Sequence, residues 1–306
     1  MFDFRYHVAS LAAVFFALVI GILVGVALAS HGLGNTERKR LEEDLRRAES
    51  QAEVLRATVD STQRDAAADR AFVEGTYKSV MANRLKGKNI AVLFIGSSEK
   101  VRRSAIASAL ADSGAGTPLR IRFVKVPVDP EVLAAQLAKK PLLANYAEPD
   151  QLKNLGHDLG QEFVAGTDTP LWSALQSVIV EEKSGPAKPP ADGVVIVRTV
   201  TPQTGPTALF LEGLYAGLGD AGVPAVGVER TSEKVSAVKA FQRAGFSTVD
   251  DIETPVGKLA LVALLSDPLL SGSYGSKKTA KALLPPIAPL PATAGGLTAD
   301  HPRRGS

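Results

Sequence analysis

Cysteine is absent from the 306 residues of this chain. That excludes disulfides, zinc–thiolate sites, iron–sulfur clusters and cysteine nucleophiles, and leaves the compartment open. Methionine occurs only as Met1 and Met81, and histidine only as His7, His31, His157 and His301, no two within ten residues of each other. A soft metal requires thiolate, thioether or clustered imidazole ligands, so the residues supply no such cluster and no metal ligands are assigned. Aromatic residues make up 6% of the chain, the net charge is +3, and Lys and Arg are spread out. A nucleic-acid binder carries a basic face with aromatic platforms; nucleic acid is therefore not an expected partner.

One region lacks charge altogether. From Val8 to Ser30 no residue is charged, and 23 helical residues span about 34 Å, enough for a hydrocarbon core of about 30 Å. Ala27-Leu28-Ala29 has the small-x-small form that signal peptidase reads, with Ser30 after the cut. The apolar run, however, exceeds the length of a signal h-region, and Asp3 offsets Arg5 in a weak n-region. Gly21 and Gly25 share one helix face, the spacing that lets two membrane helices approach closely. The favoured reading is a retained signal-anchor. A literal count of the basic residues from Arg38 to Arg47 keeps the following chain inside, but long domains translocate largely regardless of charge.

A second region lacks proline. From Thr36 to Ala82 there is none, and Gly75 is the sole glycine. Leu41, Leu45, Ala48, Ala52, Leu55, Val59, Thr62, Ala66, Asp69, Val73, Thr76 and Val80 keep a strict 4,3 spacing. This is the a/d seam of a coiled coil, about 60 Å long if fully helical. Its middle is thin, because Ala, Thr and Asp69 fill little of a seam. In a parallel pair Asp44 faces Glu49, which repels, and Asp65 faces Arg70, which attracts. The expected dimerisation residues are Gly21, Gly25, Leu41, Leu45, Leu55, Val59, Val73 and Val80, and the expected partner is a second copy rooted in the same membrane.

After Gly87 the pattern changes again. Asn89–Gly96, Leu119–Val126, Val194–Val200, Ala225–Glu229 and Lys258–Leu265 read as strands, the second with one face in water. Glu99–Gly114, Pro130–Lys139, Asp150–Phe163, Pro170–Glu182, Thr207–Gly222 and Ser232–Gly245 read as helices, and Lys183–Gly193 as a loop. Alternation of this kind predicts an α/β fold, a mostly parallel sheet with helices on both faces. The chain thus divides into a signal-anchor transmembrane helix (1–34), a coiled-coil stalk (35–86), an α/β globular domain (87–266) and a Pro/Gly-rich basic tail (267–306) expected to be extended or disordered.

Motifs for chemistry are scarce. Gly96-Ser97-Ser98-Glu99-Lys100 has one glycine, so neither GxGxxG nor a P-loop is present; Ser97 and Ser98 are read as helix caps. Ser271–Gly275 lacks the glycine a nucleophile elbow requires before x-Ser. His157 has no marker of a general base and is read as a helix-surface residue. Asp250, Asp251 and Glu253 lack the ligand order of an EF-hand and are read as a loop whose Thr254-Pro255 starts a turn. No catalytic residues and no cofactor are expected, and the chain is read as a non-enzyme.

The opening FRYHVASLAAVFFALVIGILVG, the heptad stalk, the phrase STVDDIETPVGKLALVALLS (Ser247–Ser266) and the phrase GSYGSKKTAKALLPP (Gly272–Pro286) resemble the mycobacterial copper transport protein B (MctB) family of actinobacterial envelope proteins. The resemblance implies a role in copper efflux or homeostasis at the cell envelope, with the outer envelope as one location, and export of the C-terminal part. It also implies the alternative of a dimeric scaffold that regulates a peptidoglycan hydrolase or another cell-division partner. The residues by themselves fit a tethered module better than a channel. One apolar helix cannot line a pore, the strands lack the alternation of an outer-membrane barrel, and Cu(I) finds no ligand cluster. The expectation from these residues and this resemblance is a single-pass cell-membrane protein, non-enzymatic and homodimeric, with its α/β domain outside the cytoplasm.

Overall fold

The computed structural model describes residues 4–97, 100–166 and 168–289. Two compact units partition the chain, Met1–Ala71 and Phe72–Ser306.

The first unit is helical. Helix α1 runs from Phe4 to Met81, its last turns belonging to the second unit. Gly21, Gly25 and Gly34 do not interrupt it. Ser10–Leu28 is the one stretch among the described residues long and apolar enough to cross a membrane, and none of it is buried. In the thin middle of the heptad seam Thr62 is satisfied locally, its Oγ1 donating to the Thr58 carbonyl, and Thr58 outside the seam does the same to Val54, both at 2.8 Å. Back-bonding of this kind lets threonine sit inside a helix without an external partner.

The second unit is built on a seven-stranded sheet. Its strands are β1 (Ile90–Ile95), β2 (Arg120–Val124), β3 (Val180–Ser184), β4 (Gly193–Arg198), β5 (Ala225–Val228), β6 (Ser247–Val249) and β7 (Ser273–Tyr274), in the order β3-β2-β1-β4-β5-β6-β7. All neighbours are parallel except β2 and β3. Both central strands, β1 and β4, are buried along their whole length, the pattern of a sheet covered on both faces. On one face Leu93, Ile95, Val194 and Ile196 meet α3 (Pro130–Leu137), α4 (Leu152–Ala165), α5 (Pro170–Ile179), α6 (Gly205–Asp220) and α7 (Val238–Arg243). On the other, Val92, Phe94, Val195 and Val197 meet the end of α1, α2 (Lys100–Asp112) and α8 (Pro255–Ser266).

Helices α4 and α6 cross with their backbones in contact. A Cβ on Gly213 would stand 1.9 Å from the Lys153 carbonyl oxygen, and one on Gly217 would stand 1.8 Å from that of His157. Gly156 and Gly160 answer from α4, facing the carbonyls of Phe210 and Leu214. Each helix thus carries two glycines four apart, and only hydrogen fits at the crossing.

Several sequence expectations change here. Lys258–Leu265, read as a strand, lies in α8. Thr254 caps that helix by accepting the Gly257 N–H at 2.9 Å, and Pro255 fills its first turn; beyond Lys258 the segment is uniformly apolar because Ala260–Leu265 are all buried. Helix α5 stops at Ile179, and Val180–Ser184 forms the antiparallel edge strand β3, whose charged, exposed residues suit an edge. The helix expected over Ser232–Gly245 is confined to α7, because Ser236 and Ala237 bind the Glu229 carboxylate instead. Arg120, expected on a wet strand face, is buried and donates to the carbonyls of Phe163 (2.9 Å) and Pro189; burial lowers its pKa to about 10. The segment after Asp267, expected to be extended or disordered, forms β7 within Ser271–Gly275 and a parallel bridge from Tyr274 to Ala282. The tail beyond 289 lies outside the described residues.

Candidate functional site

All the residues expected to dimerise lie on α1, where they fall into three groups. Gly21 and Gly25 sit in the uncovered apolar stretch, and a Cβ on either would meet nothing within 4 Å. Leu41, Leu45, Leu55 and Val59 are between 51% and 72% exposed. Val73 and Val80 are half-buried in their own unit, where the chain is anchored by fully buried Met81 and Leu85 and by the Tyr77 hydroxyl donating to Asp112 at 2.9 Å. Burial and the Asp112 carboxylate push the Tyr77 phenol pKa up.

A polar network lies at the C-terminal rim of the sheet. Asp250, one residue past β6, accepts the N–H groups of Ser276 (2.8 Å) and Lys277 (3.2 Å) through Oδ1. Gly275, at φ +131, lies so close that a Cβ would stand 2.1 Å from that oxygen. Glu229, one residue past β5, is buried and accepts from Lys277 Nζ, Ser236 Oγ and the Ala237 N–H. Glu253 accepts the Thr231 N–H at 3.0 Å. The two phrases STVDDIETPVGK and GSYGSKK therefore meet each other, and their acids bind backbone N–H groups and a lysine. Asp251 is the exception: its Oδ2 accepts from Thr254 at 3.3 Å while Oδ1 has no partner. Burial first, then neighbouring Asp250, raises its pKa to about 6. Among the described residues no group of three or more His, Asp or Glu side chains is placed to hold a metal ion.

Of the expected caps, Ser98 lies outside the described residues, and Ser97 Oγ stands 3.5 Å from Thr199 Oγ1. His157 lies on the surface of α4 between two acids, Nδ1 at 2.9 Å from Asp158 and Nε2 at 3.2 Å from Asp220. The Asp158 hydrogen bond leads in raising its pKa, against partial burial.

Sequence reasoning missed Arg198 and Tyr215. Arg198 is the last residue of β4, beside the point where the connections leave β1 and β4 in opposite directions, the usual ligand crevice of a sheet of this kind. Its one sequence signal is a basic residue ending an otherwise apolar buried run. Tyr215 comes from α6, and both side chains line a cleft of about 810 Å³ beside α6 and α7.

The helix and the sheet define the class: an α/β domain in one chain with a long helix whose N-terminal stretch can cross a membrane. A family described as "Copper transport outer membrane protein, MctB" matches residues 1–285, and the chain belongs to that family. No curated protein matches it.

Proposed function

We propose that this protein is a membrane-tethered, homodimeric component of the cell envelope that serves copper handling through assembly with a partner. In this reading Ser10–Leu28 stays in the membrane, the heptad seam pairs two copies, and the α/β domain stands outside the cytoplasm. The observation that carries it is the uncovered apolar seam of Leu41, Leu45, Leu55 and Val59, following an uncovered apolar span on the same helix. Isolated helices gain most of their stability from burying such a face, and a second copy presents the matching one. Membership of the copper transport family supports the copper assignment. The scarcity of soft ligands supports an indirect role, and the open, mostly parallel sheet supports a binding module over a self-contained pore. The finer reading, a scaffold for a cell-wall hydrolase, draws on the same absence of a metal cluster among the described residues.

The test is complementation of a strain lacking the protein. The full chain restores copper tolerance; a chain with Leu41, Leu45, Leu55 and Val59 changed to Asp does not, and intact mass with external protease shows an uncut chain whose α/β domain is digested from outside. Unchanged tolerance in the deletion strain removes the copper role. A domain protected from protease removes the topology.

A further inference from the structure

The cleft beside α6 and α7 holds a buried cation without a counter-charge. Arg198 is 8% exposed. Its Nε has no hydrogen-bond partner, and no carboxylate among the described residues lies within ion-pair distance. The two acids that line the same cleft are engaged elsewhere: Glu212 accepts from Lys153 Nζ at 2.6 Å, and Asp220 pairs with His157. Tyr215 is 6% exposed, and its hydroxyl has no hydrogen-bond partner outside this pair. Burial raises the phenol pKa, while the Arg198 charge and a hydrogen bond from Arg198 oppose that rise. The guanidinium and the phenol, whose own proton has no acceptor, thus stand together in the wall of one cleft.

A buried charge is strongly disfavoured unless something pairs with it, and a guanidinium is shaped to hold a carboxylate or phosphate through two parallel N–H groups. The rest of the cleft suits an organic body on that anion. Ala208, Leu211 and Ala240 form an apolar wall, and Gln203 and Arg243 stand at its margin. Its volume of about 810 Å³ falls within the range of small-molecule sites, roughly 300–1,000 Å³.

We propose that this cleft binds a small organic oxyanion, a carboxylate or a phosphate ester, with Arg198 gripping the anion and Tyr215 donating its hydroxyl to the same group. The site would make the α/β domain a ligand-responsive module, independently of how the chain is tethered or paired.

Trp172, the sole tryptophan and buried on α5, reports unfolding of this unit by fluorescence in the full-length protein held in a nonionic detergent. The probes are phenyl phosphate and benzoate at constant ionic strength, with benzyl alcohol as the neutral control. At least one anion raises the unfolding midpoint saturably below about 10 mM, where a 1 mM site is already nine-tenths filled, and the stronger of the two identifies the natural anion class. Arg198→Gln weakens that anion's binding by about tenfold or more, and Tyr215→Phe by several-fold, as loss of charge-assisted and neutral hydrogen bonds requires. Without ligand, Arg198→Leu unfolds no earlier than the wild type, because it removes an unpaired buried cation. The proposal is overturned by no saturable shift with either anion, by an equal shift in Arg198→Gln, or by an Arg198→Leu chain that unfolds markedly earlier or fails to fold, which would make Arg198 a structural cation.

Discussion

Among the described glycines, Gly217 leaves the least room for a side chain. Its missing Cβ would lie 1.8 Å from the His157 carbonyl oxygen and 2.6 Å from the carbonyl carbon. Backbone cannot give way as a side-chain end can, so Gly217→Ala separates α4 from α6. The expected loss is about 3 kcal/mol, read as a fall of roughly 6–12 °C in the Trp172 unfolding midpoint. Gly21→Ala, tested in the same way, leaves that midpoint unchanged, since a Cβ there meets nothing within 4 Å. Asp251 sets a pH dependence. Its folded pKa, about 6, is above its ordinary 3.8, so the folded state holds the proton more tightly. That contribution is complete below about pH 4 and is lost as pH rises through about 6. Asp251→Asn mimics the protonated form. It is expected to stabilise the domain by about 2–3 kcal/mol at pH 8 and by nothing at pH 4, in denaturant titrations followed at the two pH values.

At the scale of elements, α8 and α1 show two ways an apolar pattern is used. Helix α8 is apolar all round because the sheet and α2 enclose it. Its start depends on the Thr254 hydroxyl, which accepts the Gly257 N–H and donates to the Asp251 carbonyl. Thr254→Ala removes both bonds and is expected to cost about 1–2 kcal/mol, while Thr254→Ser recovers most of it; urea midpoints of the two variants measure the difference. Helix α1 instead carries Leu41, Leu45, Leu55 and Val59 in a seam with no cover in the single chain. Sedimentation of the full protein in detergent is expected to give a dimer. Leu45→Asp with Leu55→Asp gives a monomer with unchanged Trp172 fluorescence, since those positions lie outside the unit that contains Trp172.

At the scale of the whole molecule, the second unit is closed by its own C-terminal segment. Strand β7 closes one edge of the sheet, Lys277 neutralises buried Glu229, and Ser276 and Lys277 supply N–H groups to Asp250. Leu270 and Leu284 add apolar cover to the face occupied by α2 and α8. A chain ended at Ser266 leaves Glu229 as a buried carboxylate without its cation, a loss of about 3–5 kcal/mol. It is expected to unfold at a much lower temperature or to be recovered only in aggregates, whereas a chain ended at Leu290 retains every one of these contacts. Circular dichroism melts of the two truncations make the comparison.

The sequence by itself determined whatever depends on neighbours along the chain. An uncharged run of membrane-spanning length, a heptad repeat without proline, and the β-rich apolar runs at β1, β4 and β5 are local signals, and they sufficed for the α/β class and for helix in the apolar run and in the stalk, while the continuity of the two as α1 came from the structure. Tertiary structure decided the rest, because it depends on what lies opposite each segment. Lys258–Leu265 is apolar enough for strand or helix, and the Thr254 cap together with burial between the sheet and α2 selects helix. Strands β6 and β7 are three and two residues long, too short for any period, and exist because a paired edge awaits them. The four glycines of the α4–α6 crossing lie in two segments distant along the chain, and only folding gives their spacing its purpose. Arg198 and Tyr215 stand seventeen residues apart on a strand and a helix, each unremarkable in its own stretch. Only folding removes both from water together and leaves their donors facing one cleft.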